Sequence, residues 1–321
     1  MSLSHLYLIH FLVSLVCILG SKKQNVLKII LVGAYLIFFL WFSRLFEFKQ
    51  DLINYNNYAI WGVGNVREPV VLFINRISYL LFGEGFSFFL GDTISVILIC
   101  AIFKKLKVHY SYILIFFCFF PVIMGFHSIY RQFFGTLICL YIISFLYVDR
   151  LKYKNLQKVR LYAISLVAIL SHNAHILSVI LISLYRNSWI FLVVISGFLS
   201  FAISQFYISF GKSNTNTGAS TYFLYVLLLV VFFGVFSRFK DKLGRNITLA
   251  GIIIVLLMGI NGLETPSERI GLSFLIFIYL SIVLSVDRFK PRVVARATLL
   301  TFGFFPLYFF PAHSLITGSY L

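Results

Sequence analysis

The sequence predicts an all-helical protein, a polytopic integral membrane chain with about 10–12 transmembrane helices, and three observations carry that expectation. Hydrophobic residues make up 60% of the 321 positions and charged residues only 12%, a balance outside the range of ordinary soluble domains. Apolar runs recur from end to end, many of them reaching the roughly 18 to 20 residues that a helix needs to span a bilayer. The loops between the runs are short and basic, and they hold most of the net charge of +17. Charge scattered in this way marks membrane topology, and no nucleic-acid partner is expected.

In chain order the candidate spans are 3–20, 27–43, 86–103, 110–125, 130–147, 188–207, 222–237, 246–262, 268–286 and 297–311. Residues 3–20 have no basic leader and no small-residue cleavage site, so they read as a retained first span. Cys17, Cys100, Cys118 and Cys139 all fall inside apolar runs and read as small buried hydrophobes. Their spacing fits neither a disulfide framework nor a zinc site. The whole chain, 1–321, is expected to form a single transmembrane domain.

The stretch "LYAISLVAILSHNAHILSVILISLYR", 161–186, is interrupted at its centre by Ser171-His172-Asn173. The loops "SKKQN", "KKLK", "DRLKYKNLQKVR", "RFKDKLGR" and "DRFKPRVVAR" are all basic and should all be cytoplasmic. They share one side only if 161–186 enters and leaves by the same face. Two half-helices forming a hairpin, with the His172 turn outward, satisfy that condition. With Lys28 and Arg186 inside, seven cations lie outside: Arg44, Lys49, Arg67, Arg76, Arg131, Lys212 and Arg269. The remaining 20 of the 27 Lys and Arg are cytoplasmic, and both termini face outward.

The longest external segment is 44–85. Val70, Phe73, Ile74, Ile77, Leu80 and Leu81 recur at helical spacing in its second half, which predicts an amphipathic helix at the membrane interface. Its first half holds Asp51, Tyr55, Asn56, Tyr58 and Trp61. Aromatic faces stack on sugar C–H groups, and amides and carboxylates bond sugar hydroxyls. The same aromatics also suit an interfacial belt.

The polar groups near span ends suggest chemistry at the external face. In "GFHSIYRQFFGTLICLYIISF", 125–145, an apolar span opens on Arg131 and Gln132, with His127 one turn earlier. Arg269 opens a later span after "NGLETPSER". A guanidinium grips a phosphate through two parallel hydrogen bonds, most strongly where water is scarce. A lipid-linked phosphate or pyrophosphate is the natural anion at that depth, and lipid head groups are the simpler alternative. His172 and His175 lie three apart, yet no carboxylate accompanies them, so a hydrogen-bonding or acid–base role is preferred to a metal site. Thr265, Pro266 and Glu268 fit a capping box, and Asp92 fits an N-cap. Asp51, Glu68 and Glu264 remain as carboxylates able to take a proton from a sugar hydroxyl.

These residues, in this order, resemble the EpsG-like family of bacterial polysaccharide polymerases, which overlaps the Wzy-type O-antigen and capsule polymerases. The resemblance rests on Asp51 and Tyr55, Glu68-Pro69 before an apolar helix, Arg131-Gln132 opening a span, His172 in a short apolar run, and Arg269. It covers most of 50–286, and it departs at Phe133-Phe134, where small residues usually follow the Arg-Gln pair. The resemblance implies an inner-membrane glycosyltransferase with its active site facing outward, similar in fold to polytopic lipid-sugar glycosyltransferases. Its substrates would be oligosaccharide repeats on undecaprenyl pyrophosphate, joined into O-antigen, capsule or exopolysaccharide. No cofactor or metal is implied. Membrane lipid, a flippase and a chain-length regulator are the expected partners. His172, Glu68 or Asp51 would handle the acceptor proton, and Arg131, Gln132, Arg269, Tyr55, Glu264 and His127 would bind substrate. A flippase for the same lipid-linked sugar, or a membrane O-acyltransferase of surface sugars, are the alternatives.

Overall fold

A computed structural model of the chain describes residues 3–20, 26–45, 50–61, 69–127, 129–148, 155–172, 175–183, 264–286 and 292–304, with a few isolated positions between 191 and 253. Those residues hold twelve helices and no strand. They are α1 (Leu3–Gly20), α2 (Val26–Ser43), α3 (Gln50–Trp61), α4 (Pro69–Phe82), α5 (Phe89–Lys105) and α6 (Ser111–Phe117). Then follow α7 (Phe120–His127), α8 (Tyr130–Val148), α9 (Asn155–Ser171), α10 (His175–Ser183), α11 (Glu264–Val286) and α12 (Arg292–Phe304). The spans expected at 188–207, 222–237 and 246–262 lie outside the described residues, as does 305–311.

The chain divides into two compact units. Met1–His175 joins Asp287–Leu321 in the first, where α1 packs on α6 and α12, α2 on α5, and α5 and α9 on α8. The short pair α3 and α4 leans together, and α4 packs on α5 and α9. In the second unit, Ile176–Val286, α11 is buried on every side from Ile270 to Leu280. That all-round burial matches its all-round apolar sequence.

The ends of several helices follow from single residues. Gly83 adopts a left-handed φ of 84°, and its N–H returns to the Tyr79 carbonyl at 2.8 Å, ending α4 where a residue with a Cβ would be strained. The span expected at 110–125 is present as two pieces. Pro121 has no N–H to offer the Phe117 carbonyl, and the chain tightens at Cys118 and Phe119 before α7 begins. His10 of α1 supports the break: its Nε2–H donates to the Leu114 carbonyl at 3.2 Å, which leaves Nδ1 to accept from the Tyr35 hydroxyl at 3.0 Å. The break expected at Ser171-His172-Asn173 also occurs, between the end of α9 at Ser171 and the start of α10 at His175. There the His175 N–H donates to the His172 carbonyl at 3.0 Å. Helix α11 starts at Glu264, so Thr265 stands inside its first turn and not before it.

In the first unit apolar residues fill the core and also cover much of the surface, and two helices carry polar residues on their buried sides. Helix α1 exposes Leu8, Leu12, Val16 and Leu19 while burying His10 and Ser14. Helix α4 exposes Phe73, Leu80 and Leu81 while burying Asn75 and Ser78. One described helix, Val26–Ser43, is both long and apolar enough to cross a membrane. Shorter apolar helices run over His5–Leu19, Pro69–Phe82, Tyr130–Leu146, Leu161–Ser171 and Ile270–Leu284.

Candidate functional site

At the first turn of α8, Tyr130-Arg131-Gln132, two of the expected substrate-binding residues, Arg131 and Tyr55, meet. Arg131 donates from Nε to the Tyr55 hydroxyl at 2.8 Å, and its guanidinium lies 4.7 Å from the centre of the Tyr55 ring. Tyr55 is held in place because α3 is itself anchored. Arg76 of α4 donates to the Ala59 and Ile60 carbonyls at 2.6 and 2.5 Å, capping the end of α3, and the Ser87 hydroxyl donates to Asn56 Oδ1. Tyr55 and Arg131, 76 residues apart and both expected to bind substrate, thus form one unit.

Gln132 ties the same turn to the broken hairpin. Its main-chain carbonyl accepts a hydrogen bond from His175 Nε2 at 2.7 Å. A carbonyl only accepts, so His175 carries its proton on Nε2 and turns Nδ1 toward Cys139 Sγ, 3.9 Å away. The close approach depends on Gly135, because a Cβ at that position would run into the His175 ring. The His175 and His172 rings stand 6.0 Å apart, nearly perpendicular. His172 is half-buried and His175 buried; His175 bonds the first turn of α8, and the His172 ring contacts His175.

His127 is 1% exposed, with Nε2 2.9 Å from the Tyr7 hydroxyl and its ring edge-on to Tyr7. It is a side chain of the core between α1 and α7, although it precedes Arg131 by only one turn. Asp51 is the second residue of α3, four positions before Tyr55, and its side chain lies outside what is described. Glu68 also lies outside the described residues. Glu264 and Arg269 belong to the first turns of α11 in the other unit, and their side chains are likewise not described. Among the described residues no three His, Cys, Asp or Glu side chains gather as metal ligands would.

Sequence reasoning missed the strongest electrostatic contact near this site. Asp92, expected as an N-cap, stands inside the first turn of α5, and Phe88 occupies the cap position. The Asp92 carboxylate is gripped on both oxygens by Arg44, from Nε at 3.0 Å and from Nη2 at 2.8 Å. The two side chains are 4% and 3% exposed. Arg44, expected among the outward-facing cations, also donates from Nη1 to the Phe126 carbonyl at the end of α7, at 2.8 Å. Its guanidinium lies 4.8 Å from the Phe88 ring centre and 5.3 Å from that of Tyr130. Burial works against the Arg44 charge, but the Asp92 carboxylate outweighs it and holds the pKa above the ordinary guanidinium value. An acid in the first turn of an apolar helix and a base just past another each call for a partner, but no local pattern says which.

No protein-family model, curated protein or solved structure matches the chain.

Proposed function

We propose that the chain is a polytopic membrane glycosyltransferase that polymerises oligosaccharide repeats carried on undecaprenyl pyrophosphate, at the external face of a bacterial inner membrane. The observation that carries the reading is the gathering of Arg131, Tyr55 and the His172 turn at the start of α8. A guanidinium suits a pyrophosphate and an imidazole suits a hydroxyl proton, while Tyr55, 6% exposed with Arg131 over its ring, orients the guanidinium. Apolar residues exposed along α1 and α4, with His, Ser and Asn on the buried sides of the same helices, support a lipid setting.

In the reaction the acceptor sugar's hydroxyl loses its proton and forms the new glycosidic bond. The bond between the donor's anomeric carbon and pyrophosphate breaks, and undecaprenyl pyrophosphate leaves with the electron pair. Arg131 faces the charge that builds on the leaving group. His172 takes the proton, and its position in a helix break leaves it partly accessible. If so, His172→Ala lowers kcat for extension by about 100-fold, with binding of the lipid-linked repeat within about threefold of wild type. Equal losses in both would make His172 a binding group.

The flippase is the second reading, favoured by the α6–α7 break beside buried His10, because transporters place broken helices in the membrane interior. Topology is tested by single cysteines at 154, 173 and 187 in a cysteine-free background. An impermeant thiol reagent added outside is expected to label only 173. External labelling at 187 would rule out the hairpin.

A further inference from the structure

The Arg44–Asp92 pair links four helices at one end of the bundle. Arg44 follows α2, Asp92 belongs to α5, the Phe126 carbonyl ends α7, and the Tyr130 ring opens α8. The link to α8 is double, because the Tyr130 hydroxyl also packs against Gly91, where a Cβ would collide with it. Phe88, from the cap of α5, meets Tyr130 edge-on with ring centres 5.2 Å apart. Arg131 is the next residue along the chain. It therefore inherits its position from an ion pair it does not touch.

We infer that Arg44 and Asp92 are positioning residues, a buried pair that fixes the first turn of α8 and thereby sets the pose in which Arg131 meets an anionic substrate. This rests on the proposal that Arg131 binds the lipid pyrophosphate. A pair that only held the fold together would be as well placed anywhere in the bundle. Here one of its four guanidinium contacts is the residue before Arg131, and another is the carbonyl that ends the preceding helix. A bidentate pair suits positioning because it fixes orientation as well as distance, whereas an apolar replacement of similar volume keeps stability without that directionality.

The test is a mutant cycle on the full chain in lipid nanodiscs, with labelled undecaprenyl pyrophosphate as the probe. Arg131→Gln in the wild-type background is expected to weaken binding at least about tenfold. In a background carrying both Arg44→Met and Asp92→Leu, the same change is expected to cost less than about threefold, because Arg131 is already misplaced there. Losses that multiply independently would overturn the inference. Tyr130→Leu keeps the ion pair and cuts its link to α8, so it covers the case in which the double variant does not fold. It should show the same weakened dependence on Arg131, and a full tenfold dependence would again overturn the inference. Hydrogen exchange separates this claim from the substrate. Amides of 130–134 should exchange about tenfold faster in the double variant while those of α2 and α5 stay as in wild type. If wild type does not bind the probe, the lipid-pyrophosphate reading fails and the exchange decides positioning alone: faster exchange at 130–134 upholds it, and unchanged exchange sinks it.

Discussion

Asp92→Ala is expected to cost about 3–5 kcal/mol of stability, a large part of what holds a typical fold together. Arg44 is 4% exposed, and without its partner a full charge would remain buried among Phe88, Tyr130 and the end of α7. The Phe126 carbonyl would still accept from Nη1, but one carbonyl does not neutralise a guanidinium. Arg44→Ala strands the Asp92 carboxylate in the same way. Replacing both, Arg44→Met with Asp92→Leu, is expected to restore most of the loss, since no unpaired charge is left. Thermal melting of the purified variants in detergent reads all three. An Asp92→Ala variant that melts within about 2 °C of wild type would mean that Arg44 finds water or another partner, and that the pair contributes little.

Arg131→Lys is expected to reduce polymer extension by about 100-fold with little change in the amount of folded protein. Lysine keeps the charge but loses the planar fork, and with it the Nε–H that reaches the Tyr55 hydroxyl and the stacking on the Tyr55 ring. The contact is only partly buried, so stability should fall by no more than about 1 kcal/mol. Surface polysaccharide ladders from a deletion strain complemented with the variant show the effect directly. Full-length ladders at normal intensity would remove Arg131 from the site.

Helix positions were legible wherever a local property set them. The apolar run length placed α1 at residues 3–20 and α2 within one residue of its observed start, and the polar triplet at 171–173 marked the break before α10. The break between α6 and α7 was also written locally, in Pro121, but sixteen apolar residues read as one span because hydrophobicity masks a missing N–H. Helix α3 was read for its sugar-binding composition, and its helical form depends on capping from Arg76 of α4, which no local pattern shows. Of the expected site residues, Arg131 and Tyr55 meet directly, His172 touches the ring of His175, which bonds the Gln132 carbonyl, and the Gln132 side chain is buried. Three other features were not legible. The Arg44–Asp92 pair joins residues 48 apart, His127 turns inward onto Tyr7, and His175 depends on the space left by Gly135. Each is decided by which faces of two helices meet, and hydrophobicity does not mark those faces where core and surface are both largely apolar.

The most direct test of the proposed activity is reconstitution of the purified protein in vesicles with its lipid-linked repeat units as the only substrate. The energy for the new glycosidic bond comes from the pyrophosphate linkage already on the donor, so no nucleotide sugar, ATP or ion gradient is added. The expected result is a ladder of longer lipid-linked chains, with one undecaprenyl pyrophosphate released for every repeat joined. Labelled repeats that move between leaflets without growing longer would contradict it and leave the flippase in its place.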